Sequence, residues 1–252
     1  WEARLLAARY TGLSDARLLI MGQQELDAPG LEEAVARRVT REPLQYILGE
    51  WSFMGLSFAL SPDCLIPRPD TETLVEYALR YLPKNARVAD LCTGSGCIAW
   101  TLALEMPGAE VTGVDISDGA LAVASGQDFA DEMARTGAKA PQFLKADVLS
   151  EPLVDLGMFD VLVSNPPYVM DSEKALMRSN VLDHEPHLAL FVPDDDPMKF
   201  YRAVAAWSVK YLKEEGVGIV EINEAYGLET SEVFRKAGFG CTEIIRDLHE
   251  KD

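Results

Sequence analysis

The chain has 252 residues and a formal net charge of -18 at pH 7, with 48% apolar and 25% charged residues. This is the make-up of a globular chain long enough for one large domain or a large and a small one. It contains no apolar run near the about 20 residues that cross a bilayer, and its acid excess disfavours a protein that grips a phosphate backbone, which relies on Lys and Arg.

The same acidity suits a basic protein partner. No secretory signal or transit peptide is visible. The first residue is Trp1 rather than Met, so the N-terminal unit is expected to be truncated. Cys64, Cys92, Cys97 and Cys241 follow no zinc-ligand spacing. A chain of this size needs no disulfide staples, so a reducing, cytoplasmic setting is expected, with no metal.

Residues 1–40 read as a small helical unit. Leu31, Ala34, Val35 and Val39 follow a three-four spacing. Ser14-Asp15 and Asp27-Ala28-Pro29-Gly30 supply start and break signals. Residues 41–70 change character. Leu44 to Leu48, then Gly49, Trp51, Phe53, Gly55, Leu56 and Phe58 suggest a hairpin, whose aromatic residues pack it onto its neighbour. Pro62, Pro67 and Pro69 mark an irregular crossing, so this stretch is read as a linker.

Residues 71–252 alternate helix and strand. A helix over 71–81 precedes strands at 87–91, 110–115, 142–145, 159–164 and 218–222, the last after a long helix over 197–213. Such alternation implies an α/β fold with a mainly parallel sheet covered on both faces.

The first strand of this region runs into Asp90-Leu91-Cys92-Thr93-Gly94-Ser95-Gly96. A Gly-rich turn lets a ligand approach the backbone, and the helix N-terminus after it offers free N–H groups. Asp115 ends the next strand, where an acid commonly accepts hydrogen bonds from ribose hydroxyls. Gly94-Ser95-Gly96-Cys97-Ile98-Ala99 also fits a dinucleotide fingerprint formally. Two features favour S-adenosylmethionine instead: Asp90, whose charge would attract the methionine amine, and Asp147-Val148, placed to meet the adenine.

Ser164-Asn165-Pro166-Pro167-Tyr168 follows the fourth strand directly. An amide nitrogen, or an amine on an aromatic ring, is a poor nucleophile because its lone pair is delocalised. The Asn165 side-chain carbonyl and the Pro166 backbone carbonyl can accept both of its hydrogens. Proline stiffens that turn, and Tyr168 offers a flat face to a planar target. The site then aligns the nitrogen with the sulfonium methyl. A nicotinamide oxidoreductase would leave this motif unexplained.

With these two motifs, the chain resembles the Rossmann-like methyltransferases that act on amino groups. More specifically, it resembles the HemK/PrmC family of peptide chain release factor glutamine N5-methyltransferases. The specific match lies in residues 41–49 (Arg-Glu-Pro-Leu-Gln-Tyr-Ile-Leu-Gly), 65–72 (Leu-Ile-Pro-Arg-Pro-Asp-Thr-Glu) and 185–190 (Glu-Pro-His-Leu-Ala-Leu). The resemblance implies a seven-stranded catalytic sheet, a helical N-terminal substrate-recognition domain and a hairpin between them. It implies methylation of the Gln side chain in the Gly-Gly-Gln motif of release factors, with S-adenosyl-L-homocysteine as product. Cofactor contacts would come from Asp90, Cys92, Thr93, Gly94, Ser95, Gly96, Asp115, Asp147, Val148 and Asn165. Substrate contacts would come from Asn165, Pro166, Pro167, Tyr168, Arg68 and Glu72, with Asn165, Pro166 and Tyr168 in the catalytic role. A monomer with no direct nucleic-acid partner is expected.

Cys92 stands where the family usually has Gly, and Asp70 where it often has Glu; the end after Asp247-Leu248 is expected to lack an extension. His184 and His187 flank Glu185 in a spacing that fits a cleft loop better than a metal site. Asp194 to Asp196 read as a solvated helix start. The competing readings are an adenine-N6 methyltransferase of DNA or RNA, which needs a basic face, and a non-catalytic cofactor-binding module, against which the intact Asn165 and Gly-rich turn argue.

Overall fold

The computed structural model describes residues 1–21, 24–25, 27–150 and 155–246. Its first three helices are α1 (Glu2–Thr11), α2 (Asp15–Met21) and α3 (Leu31–Val39). Gly12 closes α1 in the left-handed conformation, φ 69°, where a side chain costs about 1–2 kcal/mol. Leu6 of α1 and Ala34 of α3 are buried against Leu44 and Ile47. Arg38 and Glu2 pair at 2.8 Å, tying α3 back to α1.

Leu44–Leu48 is helix α4 rather than part of a hairpin. Pro43 pre-sets its start, and Gly49 ends it at φ 76°. Leu44 and Ile47, three residues apart, share one buried face, and this packing outweighs the strand-like composition.

The hairpin itself is β1 (Glu50–Phe53) with β2 (Leu56–Ala59), paired antiparallel from Glu50↔Ala59 to Phe53↔Leu56. Met54 and Gly55 form its two-residue turn, at φ 50° and 75°. Two positive φ values twist a turn to match its strands. Met54 is held there by its N–H, which donates to Glu72 Oε1 at 2.8 Å. Phe53 and Phe58 enter the main core, where Phe58 meets Phe129 edge-on at 5.0 Å. Each such ring stabilises by about 2–3 kcal/mol on burial.

Helix α5 (Pro69–Tyr81) opens with Pro at its first position and Asp70 and Glu72 in its first turn, which suits both backbone and dipole. Then come β3 (Arg87–Leu91), α6 (Cys97–Glu105), β4 (Glu110–Asp115), α7 (Asp118–Ser125), α8 (Ala130–Thr136), β5 (Gln142–Lys145) and β6 (Phe159–Ser164). A two-stranded ladder, β7 (Val169–Met170) with β8 (Phe191–Val192), brackets the short helix α9 (Ser179–Leu182). Helix α10 (Lys199–Tyr211), strand β9 (Leu212–Val220) and α11 (Gly227–Ala237) are the last helices and strand among the described residues.

The five main strands run parallel in the order β5-β4-β3-β6-β9. Among the described residues the sheet therefore has five strands where the resemblance implies seven. Residues 241–246 form no strand, and 247–252 lie outside the described residues. Strand β9 starts six residues earlier than the sequence predicts. The chain passes from α10 into it without a loop, through an irregular register between Phe159↔Leu212 and Val161↔Val217. Both faces are covered: α5, α6 and the hairpin supply one core, while Val204, Trp207 and Tyr211 of α10 supply the other. No helix is long and apolar enough to cross a membrane, among the described residues.

Candidate active site

Parallel pairing brings the carboxyl ends of the strands to one edge. Leu91 lies opposite both Val114 and Ser164, so the residues after β3, β4 and β6 converge. Open α/β sheets bind ligands at such an edge. A cleft of about 1070 Å³, open to solvent, occupies it.

The turn after β3 forms one wall. Gly94 adopts φ 56°, and a side chain added there would meet nothing within 4 Å, so its bare backbone faces open space. Its N–H donates to Asp115 Oδ2 at 2.9 Å, while Asp115 Oδ1 accepts the Ser117 N–H at 2.9 Å. One carboxylate thus holds the turns after β3 and β4 together. Gly96 has a different purpose. It sits at φ 78° against Ala124 and Phe143, where a Cβ would lie 3.0 and 3.1 Å from them. Its bareness serves helix-to-sheet packing, and it does not line the cleft.

Asp90 lies beneath this turn, fully buried, and does not reach the cleft wall. Its Oδ2 accepts from Thr93 Oγ1 at 2.5 Å, and Oδ1 has no partner. Burial pushes its carboxyl up to about 7, with the Thr93 hydrogen bond opposing the shift. Cys92 takes φ 60°, unusual for a residue with a side chain. Burial raises its thiol far above the ordinary range and raises that of Cys97 to about 12, so neither is a nucleophile near neutral pH.

Thr93, Gly94, Ser95, Asp115, Asp147, Val148, Asn165, Pro167 and Arg68 all line the cleft, together with Cys92. Asp147 also accepts the Leu149 N–H at 2.9 Å, which shapes the turn after β5. Pro166, Tyr168 and Glu72 lie outside the lining. Glu72 is committed to the hairpin turn at Met54. Tyr168 turns its hydroxyl to Glu221 Oε1 at 2.9 Å.

Several lining residues were not assigned to the site from the sequence: Asp63, Cys64, Leu65 and Pro67 of the crossing segment, Thr71 of α5, Ile116 and Ser117 after β4, and Phe200 of α10. His187 faces Phe191 edge-on at 5.0 Å and reaches the Leu182 carbonyl at 2.7 Å, while Pro186, Leu188 and Ala189 beside it reach the cleft. No cluster of metal-ligating side chains occurs among the described residues.

Glu221 follows β9, and its N–H donates to the Ser164 carbonyl at 3.0 Å, which sets it beside the Asn-Pro-Pro-Tyr turn. Thr71 Oγ1 donates to its Oε2 at 2.6 Å. Desolvation raises the Glu221 carboxyl; hydrogen bonds from Thr71, Tyr168 and Asn165 favour its charged form, and Asp70 opposes them. Its position at the carboxyl end of a strand adjoining the motif was the available sequence signal.

The cleft suits a cationic, ribose-bearing ligand. Among the described residues, three carboxylates, Asp63, Asp115 and Asp147, line it against one guanidinium, that of Arg68. The Gly94 backbone is open to it, and the buried Ser95 Oγ in the same wall lacks a hydrogen-bond partner within the protein. Native structures rarely leave such atoms orphaned without a ligand or water.

Comparison with solved structures agrees on the fold. A methyltransferase from Pyrococcus furiosus superposes with TM-score 0.52 at 15% identity, over 84% of this chain and 91% of that one. The ribosomal protein L11 methylase from Lactobacillus delbrueckii gives 0.50 at 20% identity, over 74% and 78%. The fold is thus one that methyltransferases use, with the cleft at the strand ends where such a sheet takes its ligand.

The relatives narrow this further. Residues 70–188 match the methyltransferase small domain and residues 1–49 the PrmC N-terminal domain. The release factor glutamine methyltransferase of Bacteroides thetaiotaomicron is 40% identical over 88% of this chain and 78% of its own. That of Geobacter sulfurreducens is 42% identical over 94% and 82%, and that of Chlorobaculum tepidum 35% over 100% and 87%. The chain belongs to the release factor glutamine methyltransferase family.

Proposed function

We propose that the chain transfers a methyl group from S-adenosylmethionine to the side-chain amide N5 of the Gln in the Gly-Gly-Gln motif of a peptide chain release factor, leaving S-adenosyl-L-homocysteine. The observation that carries this reading is one cleft shared by the Gly94 turn and Asn165, in a chain of this family.

Thr93, Gly94 and Ser95 hold the cofactor along the turn, with Asp115, Asp147 and Val148 on its nucleoside side. Bound there, the cofactor supplies an electrophilic methyl on a sulfonium. The residues of the chain orient the acceptor. Asn165 Oδ1 and the Pro166 carbonyl accept the two amide hydrogens, so the nitrogen lone pair is held facing the donor. An amide nitrogen needs this help because its lone pair is shared with its carbonyl. The gain is orientation and oriented dipoles rather than proton abstraction. The proton leaves after transfer, so no strong general base is required. Tyr168 packs beside the Asn-Pro-Pro turn with its hydroxyl anchored on Glu221. Arg68, at the cleft wall, meets the polar backbone of the substrate loop.

In this reading residues 1–40 recognise the release factor, 41–70 link, and 71–252 catalyse. The net charge of -18 supports a protein substrate rather than a nucleic acid. The protein acts as a monomer in the cytoplasm, where translation termination takes place. The test is labelled methyl transfer to three acceptors side by side: an intact release factor, the same factor with the motif Gln changed to Ala, and duplex DNA. Label on the intact factor alone is expected. Label on DNA would move the assignment to adenine-N6 methylation, and label on the Ala variant would place the methyl elsewhere on the protein.

A further inference from the structure

The Asn-Pro-Pro-Tyr turn is backed by a hydrogen-bond chain that the proposed reaction does not use directly. Asn165 Nδ2 donates to Thr71 Oγ1 at 3.1 Å. Thr71 Oγ1 in turn donates to Glu221 Oε2 at 2.6 Å, and Tyr168 donates to Glu221 Oε1 at 2.9 Å. Thr71 is 2% exposed, so neither of its bonds is readily replaced by water.

The polarity of this chain follows from chemistry. In its ionised form, which the hydrogen bonds from Thr71, Tyr168 and Asn165 favour, the Glu221 carboxylate only accepts, so the Thr71 hydroxyl gives its single hydrogen to Glu221. Its oxygen is then left to accept, and only the NH2 end of a carboxamide can donate to it. An Asn flipped the other way would set its oxygen against the Thr71 oxygen with no hydrogen between them. The carbonyl end of Asn165 is thereby directed away from Thr71, toward the cleft that Asn165 lines.

We infer that Thr71 and Glu221 are positioning residues that lock the Asn165 amide with Oδ1 toward the substrate. The inference rests on the proposed role of Asn165 as acceptor for the target NH2. A flipped Asn165 would present donors to a group that is itself a donor, and productive binding would be lost. The three residues come from α5, from the turn after β6 and from the end of β9. The lock forms only when the sheet edge and the first turn of α5 are both in place.

The experiment compares wild type with Thr71→Val, Thr71→Ser and Glu221→Gln, all in the full chain. Three quantities are read: kcat and KM for a release factor, the Kd of S-adenosylhomocysteine, and solvent exchange of the Asn165 side-chain NH2 signals, assigned against Asn165→Ala. Thr71→Val is expected to lower kcat by about tenfold or more, with the Kd within about threefold, because a misoriented group loses rate more than cofactor affinity. Its Asn165 NH2 hydrogens should exchange about five- to tenfold faster, as loss of one hydrogen bond implies. Thr71→Ser keeps the hydroxyl and should restore both readouts. Glu221→Gln can turn either end of its amide to Thr71, so it should fall between.

Wild-type kcat in Thr71→Val, or unchanged Asn165 exchange, overturns the inference. So does a folded Thr71→Ser that behaves like Val. If Thr71→Val does not fold, Glu221→Gln and Thr71→Ser carry the same readouts, and wild-type behaviour in Glu221→Gln removes Glu221 from the lock. If the wild type methylates no release factor while Asn165 exchange still depends on Thr71, the substrate reading fails and the positioning stands.

Discussion

Arg68 Nη2 meets Glu185 Oε1 at 2.7 Å, joining two segments 117 residues apart in the chain. Glu185 Oε2 also accepts the Ile66 N–H at 3.1 Å. One carboxylate thus clamps the crossing segment before α5 to the loop that carries Pro186, Leu188 and Ala189 into the cleft.

The Glu185 side chain is 1% exposed and that of Arg68 32%. Removing the guanidinium leaves a buried charge with one backbone donor. Arg68→Ala is expected to destabilise the fold by about 3–5 kcal/mol. Paired removal in Arg68→Ala/Glu185→Leu should cost less than Arg68→Ala alone. Denaturant melts of the three chains check this, and equal losses in single and double variants would show that the ion pair is not the clamp.

Asp90 provides a pH test. Burial raises its folded carboxyl to about 7 from an ordinary 3.8. Between those values the folded state holds a proton that the unfolded chain has released. Its contribution is therefore fully present below about pH 4 and is lost as the pH rises through about 7. Asp90→Asn should flatten this decline by about 2–4 kcal/mol between pH 4 and pH 8. Chemical melts at the two pH values measure it; parallel slopes in both proteins would refute the burial argument.

Cys92 holds a left-handed backbone at φ 60° inside the cofactor turn. Such a conformation costs a residue with a side chain about 1–3 kcal/mol, and β-branching makes it worse. Cys92→Gly should lie within about 1 kcal/mol of wild type, because relief of strain and a freer unfolded chain oppose each other. Cys92→Val should lose more than about 2 kcal/mol and weaken cofactor binding. Thermal midpoints with and without S-adenosylhomocysteine distinguish them.

Asn165→Ala should lower kcat by about 10²-fold or more, as the loss of an oriented hydrogen-bond group does. Cofactor affinity should remain largely intact. Single-turnover methyl transfer with a parallel binding titration measures the two separately, and near-wild-type turnover would remove Asn165 from the proposed role.

Short apolar runs such as Val88-Ala89 and Val161-Leu162-Val163 made the five parallel strands legible, because a strand covered on both faces is apolar at most of its positions. The Gly-rich turn and Asn165 were legible for the same kind of local reason: each sits at the end of such a strand. Leu44–Leu48 was not, since five residues of mixed propensity take their form from the partners they bury against. Likewise Phe159 and Leu212 pair across an irregular register that moves the start of β9, which no local pattern signals.

The sequence by itself determined the class of sheet, the strand ends where ligands gather, and the motifs that place the chain in its family. Only the tertiary structure decided that Glu72 serves the Met54 turn, that Asp90 is sealed beneath the cleft, and that Thr71 and Glu221 back Asn165. Their residue types are ordinary and their separations long: Thr71 and Glu221 lie 150 residues apart. Strand and turn signals depend on neighbours in sequence. The hydrogen bonds of a site depend on which strand ends are side by side, and that is set when parallel pairing closes the sheet.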